Sequence, residues 1–320
     1  MGVLRRLFGF DQQDTPELLP AIERAISGVE PLLKQAGGYP EAYRKPVRTA
    51  LEYAHNLALS VPGPMSINLD TYAMDPYVHA IFPSQELVSE AFRSSRAIQN
   101  YLRKHPPTDE TYALMGMRRR EKTMMGMELS GQVIQREVPQ HVVYFTSHTI
   151  ENPAPSEQQA RDQIALSFFG SLVDKVAKRV ASRKLEMQSQ LQELDVLKAR
   201  LHAADAEARP ALEKELSRML ARVQNTTRFL DLHNYLDDFK AVLLNPEQHL
   251  RLDKAPMILD SMGIRREGDQ SAQGTPIIFN DLIGFDRRDW TVSLVHCRTM
   301  QGYKADYIEE ATRYLAKITI

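Results

Sequence analysis

The chain has 320 residues, 40 Lys and Arg against 41 Asp and Glu, and a formal net charge of -1, which excludes a global electrostatic pull toward nucleic acid or an anionic membrane. At 43% hydrophobic and 25% charged residues it is neither disordered nor fibrous. Its single cysteine, Cys297, cannot close an intrachain disulfide, and no stretch reaches the ~18 consecutive apolar residues of a membrane span, as expected for a chain working in the cytoplasm.

Residues 1–14 form an amphipathic opening and a polar spacer. Drawn as a helix, Val3, Leu4, Leu7, Phe8 and Phe10 share one arc while Arg5 and Arg6 fall on the other, a pattern that fits equally an interfacial anchor to an anionic membrane surface and a helix end packing on its own domain. Residues 15–107 read as a helical lobe. Thr15-Pro16-Glu17 starts a helix that Pro20, Gly28 and Pro31 interrupt before it closes at Gly37-Gly38. A second helix runs from about Tyr43 to Leu59 and a third from about Glu86 to Lys104. Between them, Ser60 to Ser84 is too apolar for a solvated linker and too proline-rich for one helix, so it is expected to wrap onto the core.

From about Thr111 the apolar period changes to two. Strands near 122–129 and 132–138 are expected to pair across a turn at Leu129-Ser130-Gly131-Gln132, followed by a third strand over 141–150. Ser156-Glu157-Gln158-Gln159 is a capping box that opens a very long helix. Its apolar seam continues through Leu191, Leu194 and Leu201, with a stutter-like slip from Arg183 through Met187 to Leu191. After a turn at 203–210, Leu212, Leu216, Met219 and Val223 carry the same spacing back, so 156–244 is expected to form an antiparallel coiled-coil hairpin. Residues 277–285 and 290–298 read as a hairpin setting Phe285 against Trp290, Ile283 against Val292 and Phe279 against His296; a last helix covers about 305–316. With 108–155 and 245–320 forming one head, the expected fold class is α+β and predominantly helical: a helical N-terminal lobe plus a small antiparallel sheet interrupted by the helical hairpin.

Named chemistry is sparse. His296 and Cys297 are adjacent, but neighbours on a strand point to opposite faces and do not form a nucleophile–base pair. His233 and Asp237 share a helix face without a third metal ligand, and His233 falls at a seam position. Met115, Met117, Met124, Met125 and Met127 crowd one span and read as a soft edge of the core beneath the stalk. Arg118-Arg119-Arg120-Glu121-Lys122 and the set Lys175, Lys178, Arg179, Arg183, Lys184 are the strongest basic patches; the second lies between seam positions like any solvated helix flank, and neither shows a flanking aromatic platform or recognition-helix motif in the sequence. No phosphate-binding glycine loop, dinucleotide fingerprint or hydrolase motif occurs, and neither a cofactor nor a metal is expected.

The reading that follows is a non-enzymatic cytoplasmic interaction or scaffold protein. It acts on a protein partner, or associates with itself, through residues 185–228, with Leu191, Leu194, Leu201, Leu212, Leu216, Met219 and Val223 as contacts. Residues 2–10 touch the inner face of the membrane. The alternatives are an enzyme or ligand-binding protein using a cleft beside the sheet and, third, a nucleic-acid-binding protein.

Overall fold

A computed structural model describes residues 18–105, 110–130, 133–229, 232–268, 273–284 and 289–298. The N-terminal decapeptide, Phe285 and the helix expected over 305–316 lie outside them. The described residues form two compact units, one of 18–54 with 166–250 and one of 55–165 with 251–298. The helical lobe expected over 15–107 is thus shared between the two, divided after Ala54, and the long helix of the expected hairpin is divided after Ala165.

The first unit is helical. Helix α1 (Leu18–Val29) buries Leu18, Ile22, Ala25 and Ile26, one stripe of a 3.6-residue period, and a 3-10 turn follows over Pro31–Gln35. Helix α2 (Glu41–Ser60) contributes Tyr43, Val47, Ala50 and Leu51 to the same core. The Tyr43 hydroxyl, cut off from water, donates to the Leu33 carbonyl at 2.5 Å, and its ring meets Phe239 edge to face at 5.3 Å. Helices α7 (Glu157–Ala203), α8 (Arg209–Phe229) and α9 (Leu232–Leu243) complete the helical elements of the unit. Phe169, Leu172, Val173, Val176 and Val180 of α7 are buried, and α9 buries Tyr235, Leu236, Phe239, Val242 and Leu243 on more than one side, as its all-round apolarity requires.

The long α7 corrects the expected phase slip. Its sheltered positions run Val173, Val176, Val180, Arg183, Met187, Gln190, Leu194, Leu197 and Leu201, an unbroken alternation of three and four. Gln190 is only 7% exposed while Leu191 is 39% exposed. Period outweighs residue polarity here: a strict 3.5-residue repeat brings position 190 inward whatever side chain it carries. Leu212, Leu216, Met219 and Val223 of α8 are half-buried on the matching spacing.

The second unit is a curled sheet wrapped on short helices. Strands β1 (Met65–Ser66), β2 (Glu110–Ser130), β3 (Val133–Ala154), β4 (Arg251–Leu259), β5 (Thr275–Ile283) and β6 (Asp289–Arg298) take the order β3-β2-β6-β5-β4, antiparallel throughout, with β1 joining β6 in parallel. The segment after β4 closes the ring, because Leu259 bridges Arg265 and Ile264 bridges Val142 of β3. Asp260 fixes that segment by accepting from the Met262 and Ile264 amides and from the Arg266 guanidinium. Ala113, Met115, Met117, Phe145, Ile277, Phe279 and Val295 line the inner face against helices α3 (Leu69–Met74), α4 (Pro76–Ile81), α5 (Gln85–Arg93) and α6 (Arg96–Lys104). The Ser60 to Ser84 stretch does wrap onto the core: it supplies β1, α3 and α4, and Ile67, Val78, Ile81 and Phe82 are buried.

Three expectations change. The helix expected over 86–104 breaks at Ser94-Ser95, where the Ser95 hydroxyl caps α6 by accepting from the Ile98 amide. The two strands expected over 132–138 and 141–150 are one strand, since Pro139, with no N–H to give, sits on an edge strand where none is demanded. The β5–β6 pairing is antiparallel but three residues out of the expected register: Leu282 opposes Trp290 and Asp281 opposes Thr291. An odd shift exchanges the faces, so Phe279 enters the core while His296 lies on the other side, and Trp290 is half-buried. The pairing is also shorter than expected. β5 holds β6 only over 289–291 because β1 occupies it at Val295 and His296. Gly63 makes that docking possible: at φ +114° a Cβ would stand 2.2 Å from the Leu294 carbonyl oxygen.

Candidate functional site

Strand β6 covers β2 only from Glu110 to Met117, so from Arg118 onward β2 continues with β3 as a long arm, which residues 263–265 join along the far edge of β3 at 141–143. Strand alternation puts Arg118, Arg120, Lys122 and Met124 on its outer face, opposite Thr146, Tyr144, Val142 and Gln140. None of these cross-strand neighbours carries charge. Among the described residues Arg118, Arg120 and Lys122 have no carboxylate partner, and Arg120 and Lys122 are exposed. Two aromatic rings underlie the cations. The Arg118 guanidinium lies 5.0 Å from the Trp290 ring and the Lys122 ammonium 5.4 Å from the Tyr144 ring. The indole packs over Gly116, where a Cβ would stand 3.4 Å from it in ordinary contact.

The inner face has the opposite character. Arg119 is held by Asp281 at 2.8 Å, and Asp281 also accepts from the Thr291 hydroxyl at 2.7 Å. Deeper in, the Tyr77 hydroxyl meets Ser293 Oγ at 2.6 Å, and burial pushes its pKa up to about 12, so it stays protonated and serves structure. One basic run in the sequence thus divides by alternation into a neutralised arginine inside and three unneutralised cations outside.

The methionine cluster divides too. Met115 and Met117 are fully buried in the sheet's core, whereas Met124, Met125 and Met127, with Ile134, stand exposed on the arm. Of the α7 basic set, Arg183 and Arg179 pair with Asp238 at 3.0 and 3.6 Å and Lys184 pairs with Glu30, so much of that patch is consumed within the first unit. Burial raises the Asp238 pKa, opposed by Arg183 and Arg179.

His296 and Cys297 do point to opposite faces of β6. Burial pushes the Cys297 thiol up to about 11, which removes it as a nucleophile near neutral pH. His296 stacks on Tyr112 at 4.5 Å and lies 3.5 Å from Ser66 Oγ and 3.6 Å from Glu110 Oε2. Both contacts are longer than the ~2.6–3.2 Å of an assembled nucleophile, base and acid, a looseness that catalytic groups without bound substrate also show. His233 and Asp237 are both exposed on α9, so the histidine is not in a seam, and among the described residues no group of three His, Cys, Asp or Glu stands close enough to hold a metal. A cleft of about 270 Å³ beside α4 is lined by Asp75, His79 and Asp260, but the first carboxylate caps α4 and the last holds Arg266.

Of the expected partner-helix contacts, Leu194 is buried, Leu201, Leu212, Leu216, Met219 and Val223 are half-buried and Leu191 is exposed. The expected membrane contacts Val3, Leu4, Arg5, Arg6, Leu7, Phe8 and Phe10 lie outside the described residues. Among the described residues no helix is long and apolar enough to cross a membrane. Comparison with protein-family models, with curated proteins and with solved structures found no match.

Proposed function

We propose that this chain is a non-enzymatic interaction protein of the cytoplasm that associates with itself or a protein partner through a helical hairpin built on α7 and α8. The observation supporting it is the unbroken three-four seam of α7 from Val173 to Leu201 with the matching spacing on α8. That period is the signature of helices packed side by side. A seam sheltered within one chain leaves the outer sides of the hairpin for a second copy, and Leu185 and Val196, 67% and 61% exposed, are the apolar groups they offer. Residues 2–10 add a weak contact to an anionic membrane, made useful by several copies acting together.

Sedimentation velocity of the full chain against a chain lacking residues 185–228 tests the association. Mass that rises with concentration in the first and stays monomeric in the second supports it; equal monomer masses at every concentration overturn it. Co-sedimentation with anionic vesicles, comparing the full chain with one starting at Asp11, tests the anchor, and equal sedimentation of the two refutes it.

A further inference from the structure

We infer that the outer face of the β2–β3 arm is a binding site for single-stranded nucleic acid, with Arg118, Arg120 and Lys122 taking successive phosphates and Tyr144 and Trp290 stacking on bases. This site lies on elements that the hairpin does not use, so it stands or falls independently of the self-association above.

Charge carries the first part of the argument. A protein of net charge -1 has no field to spare, yet it keeps three cations unneutralised on one face while an adjacent arginine is paired. The same-face spacing is about 6.8 Å, twice the ~3.4 Å strand rise, and one strand supplies the whole row. A linear row of cations suits a linear array of phosphates, and the uncharged neighbours Thr146, Tyr144 and Val142 leave that row without local repulsion.

The rings carry the second part. Phosphate recognition alone needs no aromatics, but here a ring lies under the first cation and another under the last, both on the same face. Sequence-tolerant binding of single strands combines those two elements, a cationic track and π-faces on which bases stack. Displacement of Arg118 and Lys122 toward phosphates frees the faces of Trp290 and of Tyr144, the latter 36% exposed, for bases. A bilayer is the less suitable occupant. Of the arm's exposed methionines Met124 shares the cation face, but the more exposed Met125 and Met127 project from the opposite face, so laying the cations on lipid headgroups would turn most of that apolar surface away from the membrane.

Trp290 is the chain's one tryptophan, so its fluorescence reads the site directly. The full chain is titrated with a single-stranded thymidine oligonucleotide, with polyphosphate of equal charge, and with vesicles containing phosphatidylserine. Quenching by the oligonucleotide is expected, and with three phosphates at ~0.7 ions each its affinity should fall roughly twenty-fold between 50 and 200 mM salt. The exposed pair Arg120→Glu with Lys122→Glu should abolish quenching with an unchanged melting curve. Tyr144→Ala should weaken oligonucleotide binding about ten-fold without affecting polyphosphate. The inference is overturned by absence of quenching in wild type at 50 mM salt, by unchanged binding after the charge reversal, by polyphosphate binding as tightly as the oligonucleotide, or by a response to vesicles alone.

Discussion

Replacing Arg161 tests how the second unit holds its edges. Its side chain is 10% exposed, and its Nη1 donates to the carbonyls of Ala58 at 2.8 Å, Val61 at 3.0 Å and Leu59 at 3.3 Å, its Nη2 to Gly63 at 3.1 Å, and its Nε to Glu157 at 2.8 Å. Ala58 and Leu59 belong to the last turn of α2, whose carbonyls have no intrahelical donors and whose end favours a cation. Val61 and Gly63 lead into β1, so one guanidinium caps the helix and fixes the segment that docks on β6. Each hydrogen bond to a charged group contributes about 1.5–3 kcal/mol, but carbonyls near the surface regain water, so Arg161→Ala should cost about 3–5 kcal/mol rather than the full sum. For a unit of this size that corresponds to a melting temperature lower by about 6–20 °C. Thermal unfolding followed by Trp290 fluorescence reports on the same unit. Arg161→Lys, a point charge without the planar fork, should fall between. A melting temperature within 2–3 °C of wild type for Arg161→Ala would refute the reasoning.

Gln190→Leu should stabilise the first unit by about 1–2 kcal/mol, because Gln190 Oε1 is buried without a hydrogen-bond partner, while Leu191→Gln should change stability by less than about 0.5 kcal/mol; chemical denaturation reads both, and the reverse order would restore the phase slip. His148 is half-buried against Phe82 with its Nε2 2.8 Å from the Ile81 carbonyl, and that burial lowers its pKa. The unfolded chain takes up a proton near the ordinary value of about 6.5 and the folded chain resists it, so stability is full above that pH and is lost as pH falls below it. His148→Gln should flatten the dependence of the urea midpoint between pH 7.5 and 5, and an unaltered slope counts against the assignment. Cys297 should resist a thiol reagent at pH 8 in the folded protein and react on unfolding; rapid modification of the native chain would show that its burial is wrong.

Elements that a local signal specifies were legible in the sequence. The Ser156 capping box starts α7 at Glu157, the Gln159 amide donates to the Ser156 hydroxyl, and Pro210 falls in the first turn of α8. Register was less legible, for two different reasons. In α7 the leucine at 191 attracts a seam assignment that the alternating period denies it, because apolar identity and helical phase disagree at that one turn. In β5–β6 the apolar alternation pointed to a register of the wrong parity, and the extent of the pairing was set by β1, a two-residue strand over 220 residues away in the chain that takes the same edge of β6. Nothing within the hairpin itself encodes that competitor.

The arm shows why a binding face can hide in an ordinary charge run. Arg118 to Lys122 in sequence is four cations and an acid, the composition of any solvated surface. Alternation removes Arg119 and Glu121 from the face, and the sheet order then adds what the run lacks. Tyr144 arrives by the β2–β3 pairing and Trp290 by the β2–β6 pairing, from 24 and 170 residues beyond Arg120. A strand in isolation offers three cations about 6.8 Å apart, which any polyanion could meet. Two rings beside that row narrow the choice to a polyanion that carries flat bases. Sheet topology therefore decides the chemistry of this face, and the sequence supplies its parts in three separate places.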